Sequence, residues 1–150
     1  MRILHVANFN TRRYGTDLYA TDRKISAGLI RNGHFVYDFS YRDICRNESL
    51  LRTTRFSKSA VNRKLMQACD TLRPHILLLG HSELITAATL AEIRKNNPSV
   101  RTGLWYVDAL FHKKKTSHLF DRLPFIDVVF ATTSGPYLKE LQTATCRAAF

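Results

Sequence analysis

Acidic residues are scarce in this chain: 12 aspartates and glutamates stand against 23 lysines and arginines, for a formal charge of +11 and a pI near 10.0. That imbalance asks for an anionic partner, and nucleic acid, an anionic membrane face and a phosphorylated or acidic glycan would each satisfy it. Cysteine is almost as sparse. Cys45, Cys69 and Cys146 are odd in number, far apart and never spaced as CxxC, which excludes a disulfide framework and a zinc site and leaves buried or free thiols. No apolar run is long enough for a transmembrane helix, and the opening MRILHVANFN runs into a polar, basic stretch rather than a cleavage site. The expected location is therefore the cytoplasm, with the inner face of the membrane as a peripheral option. Glycine is equally telling. The loop after the first apolar run holds only Gly15, so the GxGxxG fingerprint of a dinucleotide site is missing, as are the Walker loop, HExxH and GxSxG. Neither a cofactor nor a metal is expected.

What is present is a regular alternation of strand and helix in 150 residues, enough for one domain with a real core. Ile3, Leu4 and Val6 open a strand, and the polar loop NFNTRRYGTD leads to a helix beginning near Leu18, with Thr16 or Asp17 as its cap and Gly33 as its left-handed terminator. HFVYDF alternates as a second strand. Tyr41 to Lys58 has no clean period and reads as a loop with one irregular helical turn. Val61, Leu65, Ala68, Cys69 and Leu72 then mark the buried stripe of a helix that Pro74 ends. Ile76 to Leu79 is apolar on consecutive residues, the pattern of an interior parallel strand, and a helix through Ala87, Leu90, Ala91 and Ile93 closes at Asn96, Asn97 and Pro98. GLWYVD gives a fourth strand, Lys113 to Lys115 a solvated turn, Ile126 to Ala131 a fifth strand, and Tyr137, Leu138 and Leu141 a last short helix. TATCRAAF follows with neither a strand nor a capping device, so the chain reads as cut short there. The alternation implies right-handed crossovers and a doubly wound, mostly parallel α/β sheet with helices on both faces.

Several stretches resemble a known family. MRILHVANFN, then YGTDLYATDRKISAGLIRNGHFVYDFSY, is similar to the first strand, loop, long helix and "GH-V" second strand of GT-B glycosyltransferases. RPHILLLG with HSEL, GLWYVDALF and FIDVVFATTSGPYLKEL are similar to stretches of the subgroup containing the spore-maturation CgeB-type and family 4-like enzymes. The resemblance covers nearly the whole of residues 1–150 and implies a single Rossmann-like N-terminal, acceptor-side domain, with the nucleotide sugar held by a separate or missing C-terminal domain. The implied reaction is transfer of a sugar from a nucleotide donor to a hydroxyl of a glycan or other acceptor. The first loop departs from the family's common glycine pair, having Arg12, Arg13, Tyr14 and a single Gly15.

In an open parallel sheet the ligand crevice lies at the carboxyl ends of the strands. Asn8 and Asp17 after the first strand, His81 and Glu83 after the third, and Asp108 after the fourth fall there. Asp17, His81 and Asp108 are the candidate catalytic groups, since sugar transfer to a hydroxyl needs a base for the departing proton. Asn8, Arg12, Arg13, Gly15 and Glu83 are the candidate acceptor-binding positions. Each has a plainer reading. Asp17 is also what a helix start attracts, His81 and Glu83 are also ordinary loop polar groups, Asp108 can cap a loop, and Arg12 and Arg13 can be solvated charges that would otherwise grip an anionic acceptor. The competing function is a basic, non-catalytic module on nucleic acid or another anionic surface. Nucleic acid is disfavoured, because the aromatics read as strand core rather than as an exposed stacking row.

Overall fold

The structure is a computed structural model that describes residues 1–11, 19–48, 57–111, 113–144 and 147–149. In chain order the elements are β1 (Arg2–Ala7), α1 (Thr21–Arg31), β2 (Phe35–Ser40), α2 (Tyr41–Asn47), α3 (Lys58–Leu72), β3 (Ile76–Leu79), α4 (Ala87–Asn96), β4 (Arg101–Tyr106), α5 (Lys113–Arg122), β5 (Val128–Ala131), α6 (Pro136–Ala144) and β6 (Arg147–Ala149), with a 3-10 turn at Leu123–Phe125. All six strands run parallel in the order β2-β1-β3-β4-β5-β6, the last being only three residues long. The doubly wound, Rossmann-like arrangement expected of the sequence is the one observed, and Ile76–Leu79 is an interior strand between β1 and β4.

Parallel partners point to the same side, so register divides the sheet into two faces. Leu4 and Val6, Leu77 and Leu79, Leu104 and Tyr106, and Val129 and Ala131 share one face. They form the main core with Val61, Leu65 and Cys69 of α3, Leu90 and Ile93 of α4, Leu119 of α5 and Leu141 of α6. The spacing of the α3 and α4 residues is the stripe that an amphipathic helix lays on a sheet. Right-handed crossovers put α1 on the opposite face, because its connection alone runs outward to β2 while every later one runs the other way. Ile25 and Leu29 of α1 there cover Ile3 and Leu78. Beyond them Gly103, Trp105, Val128 and Phe130 line an open, mostly apolar cavity of about 470 Å³.

Gly33 has a φ of +77° immediately after the α1 C-cap Asn32, as expected of a left-handed terminator. Four other details differ from the sequence reading. Helix α1 begins at Thr21 with Ala20 in the cap position, so neither Thr16 nor Asp17 is its cap; both lie outside the described residues. Residues 41–47, read as loop with one irregular helical turn, form the regular helix α2, whose buried residues Tyr41, Asp43 and Cys45 are spaced by two, because the short helix is wedged between neighbours rather than laid on one face. The turn read at Lys113 to Lys115 is instead the start of α5. Among its described side chains the buried ones are Thr116, Leu119 and Arg122, so a threonine and an arginine occupy the inward stripe and conceal the hydrophobic period. Finally, TATCRAAF contributes the edge strand β6 at Arg147–Ala149.

Buried polar groups tie the layers together. Asn62 on α3 donates to the carbonyls of Lys58 and Leu84, and accepts from the Thr86 N–H and the Thr89 hydroxyl at the start of α4. Thr86 itself caps α4 by accepting from the Thr89 N–H. On the α1 face, Ser26 donates to Asp38 at 2.6 Å and contacts His5 Nδ1 at 2.8 Å. Since the single hydroxyl proton goes to the carboxylate, Nδ1 must carry the imidazole proton and donate to Ser26. His5 Nε2 is then left bare and buried, without a hydrogen-bond partner among the described residues. Cys45 and Cys69 are buried and form no disulfide among the described residues, while Cys146 lies outside them.

Candidate functional site

The carboxyl ends of β1, β3 and β4 meet the starts of α1, α2 and the loop into α4. Gly80 ends β3, its N–H donating to the Val6 carbonyl, and the chain turns sharply, with the Ser82 N–H returning to the Gly80 carbonyl at 2.7 Å. A side chain at Gly80 would meet Ala7 Cβ and Asp22 Oδ1, each at 3.0 Å, so the tight approach of β1, β3 and α1 requires glycine here. The turn presents His81, Ser82 and Glu83 in succession. With Tyr106 and Asp108 from β4 and its exit, and His118 and Arg122 from α5, they line an open cavity of about 360 Å³. This cavity is smaller than the apolar one on the α1 face, but it holds the titratable groups and sits where an open parallel sheet binds ligands.

His81 and Asp108 come together, Nε2 lying 3.3 Å from Oδ2, and the imidazole stacks on the Tyr106 ring with centroids 6.2 Å apart. Both side chains keep solvent access, at 42% and 24% of their full exposure, so a ligand in the cavity can reach the imidazole. Glu83 is held on the other side. The Tyr41 hydroxyl reaches Glu83 Oε2 at 2.5 Å and the His81 carbonyl at 2.6 Å, and Arg42 forms an ion pair with Glu83 Oε1. Burial pushes the Glu83 carboxyl up, but hydrogen bonds from Tyr41, its own N–H and Arg42 outweigh it and hold the group below the usual range. Glu83 is thus a permanently charged anchor, and burial together with that carboxylate raises the Tyr41 phenol.

Beneath the cavity lies Arg122, 5% exposed, whose Nη1 donates to the carbonyl and hydroxyl of Ser82 and whose Nε donates to the His118 carbonyl. Burial lowers its pKa, while Glu83, Tyr106, Tyr41 and Asp121 pull it back upward. Tyr106 is 3% exposed and its hydroxyl has no partner among the described residues. Burial and the Asp108 charge raise that phenol, against the pull of Arg122.

Asn8 lies at the same edge of the sheet, at the end of β1, and its backbone N–H serves the carboxylate of Asp22 on the first turn of α1. Burial raises the Asp22 carboxyl, while His81 and the Asn8 N–H draw it down. The structure therefore gathers Asn8, His81, Glu83 and Asp108 at one rim, with His81 and Asp108 in direct contact. Asp17, Arg12, Arg13 and Gly15 lie outside the described residues. Sequence reading missed Asp22, Tyr41, Arg42, Tyr106, His118 and Arg122. Asp22 and Tyr106 carried a signal, since both fall at the carboxyl edge once α1 starts at Thr21 and β4 ends at Tyr106; Arg122 carried none, because α5 was not read as a helix. Among the described residues no group of His, Cys, Asp and Glu is arranged to hold a metal ion, and no helix is long and apolar enough to cross a membrane. No family model, curated protein or solved structure matches the chain.

Proposed function

We propose that this chain is the acceptor-binding half of a GT-B-type glycosyltransferase, with His81 as the base and Asp108 as the group that orients it. The observation that carries the reading is the His81–Asp108 contact at 3.3 Å on an open polar cavity at the carboxyl edge of a parallel sheet. A carboxylate beside an imidazole fixes the ring and stabilises the imidazolium that forms when a proton is taken. A hydroxyl in the cavity would pass its proton to His81 as its oxygen forms a bond to the anomeric carbon, and the nucleoside diphosphate would leave from a domain facing this edge. The start of α1 supports the same division of labour. Where a dinucleotide-binding domain opens its first helix to a pyrophosphate, this one places the Asp22 carboxylate close to Gly80, a charge that disfavours a phosphate there. The strong positive charge suits an acceptor with anionic character and is compatible with peripheral contact with an anionic membrane.

The test is ligand-detected NMR of the chain with a panel of mono- and disaccharides and with nucleotide sugars, at low and high salt. Sugars should bind at every salt concentration, and His81→Gln should displace them or change their contact pattern. Nucleotide sugars should bind only through screened surface charge and lose contact as salt rises. Salt-resistant micromolar binding of one nucleotide sugar, or no sugar bound at all, would overturn the reading.

A further inference from the structure

Arginine is almost never fully buried without a carboxylate or phosphate beside it, because a desolvated charge needs a counter-charge. Arg122 departs from that rule. Its partners are the Ser82 hydroxyl and the carbonyls of Ser82 and His118, and no carboxylate among the described residues pairs with it. Around the cavity Glu83 is paired with Arg42 and Asp108 lies against His81, so neither carboxylate is directed at Arg122. The neighbouring Tyr106 hydroxyl is a second buried polar group lacking a partner among the described residues. Both residues line the same cavity, and a guanidinium with an adjacent phenol is a donor set for an oxyanion.

We infer that Arg122 and Tyr106 form an oxyanion subsite within the cavity, so that the natural ligand carries a carboxylate or phosphate held at the floor while its hydroxyl faces His81. This inference deepens the acceptor reading and rests on it for calling the anion part of an acceptor; the subsite itself needs only the cavity. Arg122 supplies one positive charge to that anion, and Glu83 and Asp108 on the walls limit how much negative charge enters. A uronic acid is the sugar chemistry that meets these demands with a carboxylate, and a sugar monophosphate the one that meets them with a phosphate.

The test is titration of the isotope-labelled chain, followed by backbone amide shifts, with acetate, inorganic phosphate, glucose, glucuronate and glucose 1-phosphate in high salt. Glucuronate or glucose 1-phosphate should bind about tenfold or more tightly than glucose, as one charge-assisted hydrogen bond allows, with shifts centred on Ser82, Tyr106 and Arg122. Comparison of the two sugars, and of acetate with phosphate, identifies which anion the subsite prefers. Arg122→Gln should remove that preference, Arg122→Lys should keep part of it, and Tyr106→Phe should weaken it severalfold. Arg101→Gln, an exposed change at the opposite edge of the sheet, should leave it intact. If Arg122→Gln fails to fold, Arg122→Lys and Tyr106→Phe carry the test, and full anion preference in both would overturn the subsite. Shifts scattered over the surface, or binding lost equally in Arg101→Gln, would overturn it as well. Anion preference without any sugar specificity would leave the subsite standing and the acceptor reading fallen, whereas neutral sugars bound with no anion preference would do the reverse.

Discussion

Lowering the pH should strip stability from this fold through one residue on β1. His5 is wholly buried, and that burial holds its imidazole at about 4, well below the ordinary 6.5. An unfolded chain takes up the proton near pH 6.5, while the folded chain resists it until about pH 4, so in that window the unfolded state binds more protons. Stability is therefore complete above pH 6.5 and falls as pH falls towards 4. At 1.36 kcal/mol per pH unit, the gap amounts to about 3 kcal/mol, a large share of the roughly 5–15 kcal/mol that holds a domain of this kind together. His5→Asn isolates the effect, because an asparagine amide can stand where Nδ1 stands and still donate to Ser26, yet does not titrate. Urea unfolding of both proteins between pH 4 and 8 should give a stability difference that shifts by about 3 kcal/mol in favour of the variant towards the acid end. A difference flat with pH would refute the argument and mean that the Ser26–Asp38 pair already shares a proton with the ring.

Three further substitutions probe the scaffold of the site. Asp43→Asn should cost about 2 kcal/mol in urea unfolding, because the carboxylate accepts from the Ser40 hydroxyl and from both the N–H and hydroxyl of Thr11, bonds that outweigh burial and keep its pKa low. The loss should vanish as acid protonates the wild-type group, and a cost that persists at low pH would point to packing instead. Gly80→Ala should destabilise by about 1–3 kcal/mol, since Ala7 Cβ and Asp22 Oδ1 each stand 3.0 Å from the added carbon, and it should shift the Asp22 carboxyl resonance; an unchanged resonance would show that β1 yields rather than α1. Asn62→Ala should lower stability by about 1–3 kcal/mol by orphaning the Thr86 N–H and removing the bonds to the Leu84 carbonyl and the Thr89 hydroxyl. Hydrogen exchange should quicken first at the start of α4, and uniform quickening would contradict a local role.

Much of the architecture was legible because strand and helix announce themselves by period. Ile76 to Leu79 could be placed inside the sheet from consecutive apolar residues alone, and the α3 stripe from Val61 to Leu72 fell where it was expected. What escaped notice did so for identifiable reasons. Helix α2 buries a tyrosine, an aspartate and a cysteine at alternate positions, a period of two inside a helix, and α5 turns a threonine and an arginine inward. In both cases the inward residue is polar and its partner lies far along the chain: Asp43 answers Thr11, and Arg122 answers Ser82. Periodicity cannot register such a pairing, because only the folded chain supplies the group that makes a buried charge tolerable. The same limit applied to the site. His81, Glu83 and Asp108 could be assigned to the carboxyl edge by strand direction, whereas the side chains that fix Glu83 in place come from α2.

The topology gives a reason for where the charges gather. The chain leaves β1 outward to β2, then crosses back beyond β1 to β3, so the connections after β1 and β3 depart in opposite directions and open a crevice between them. In such a crevice the first turn of α1, with its free N–H groups, is the ordinary place for an anion. Here that turn carries the Asp22 carboxylate, which accepts from the Asn8 N–H and lies close to Gly80, a charge that disfavours a ligand anion nearby. One strand further along, α5 sends Arg122 under the turn that carries His81, and the positive charge withheld from α1 reappears beneath β3 and β4. On the proposed reading the two features act together, the Asp22 carboxylate disfavouring a nucleotide at α1 and the buried Arg122 guanidinium offering an anion seat beside the His81 imidazole. A ligand held at that proposed seat would have its remaining groups next to His81 and Asp108, the placement an acid–base reaction needs.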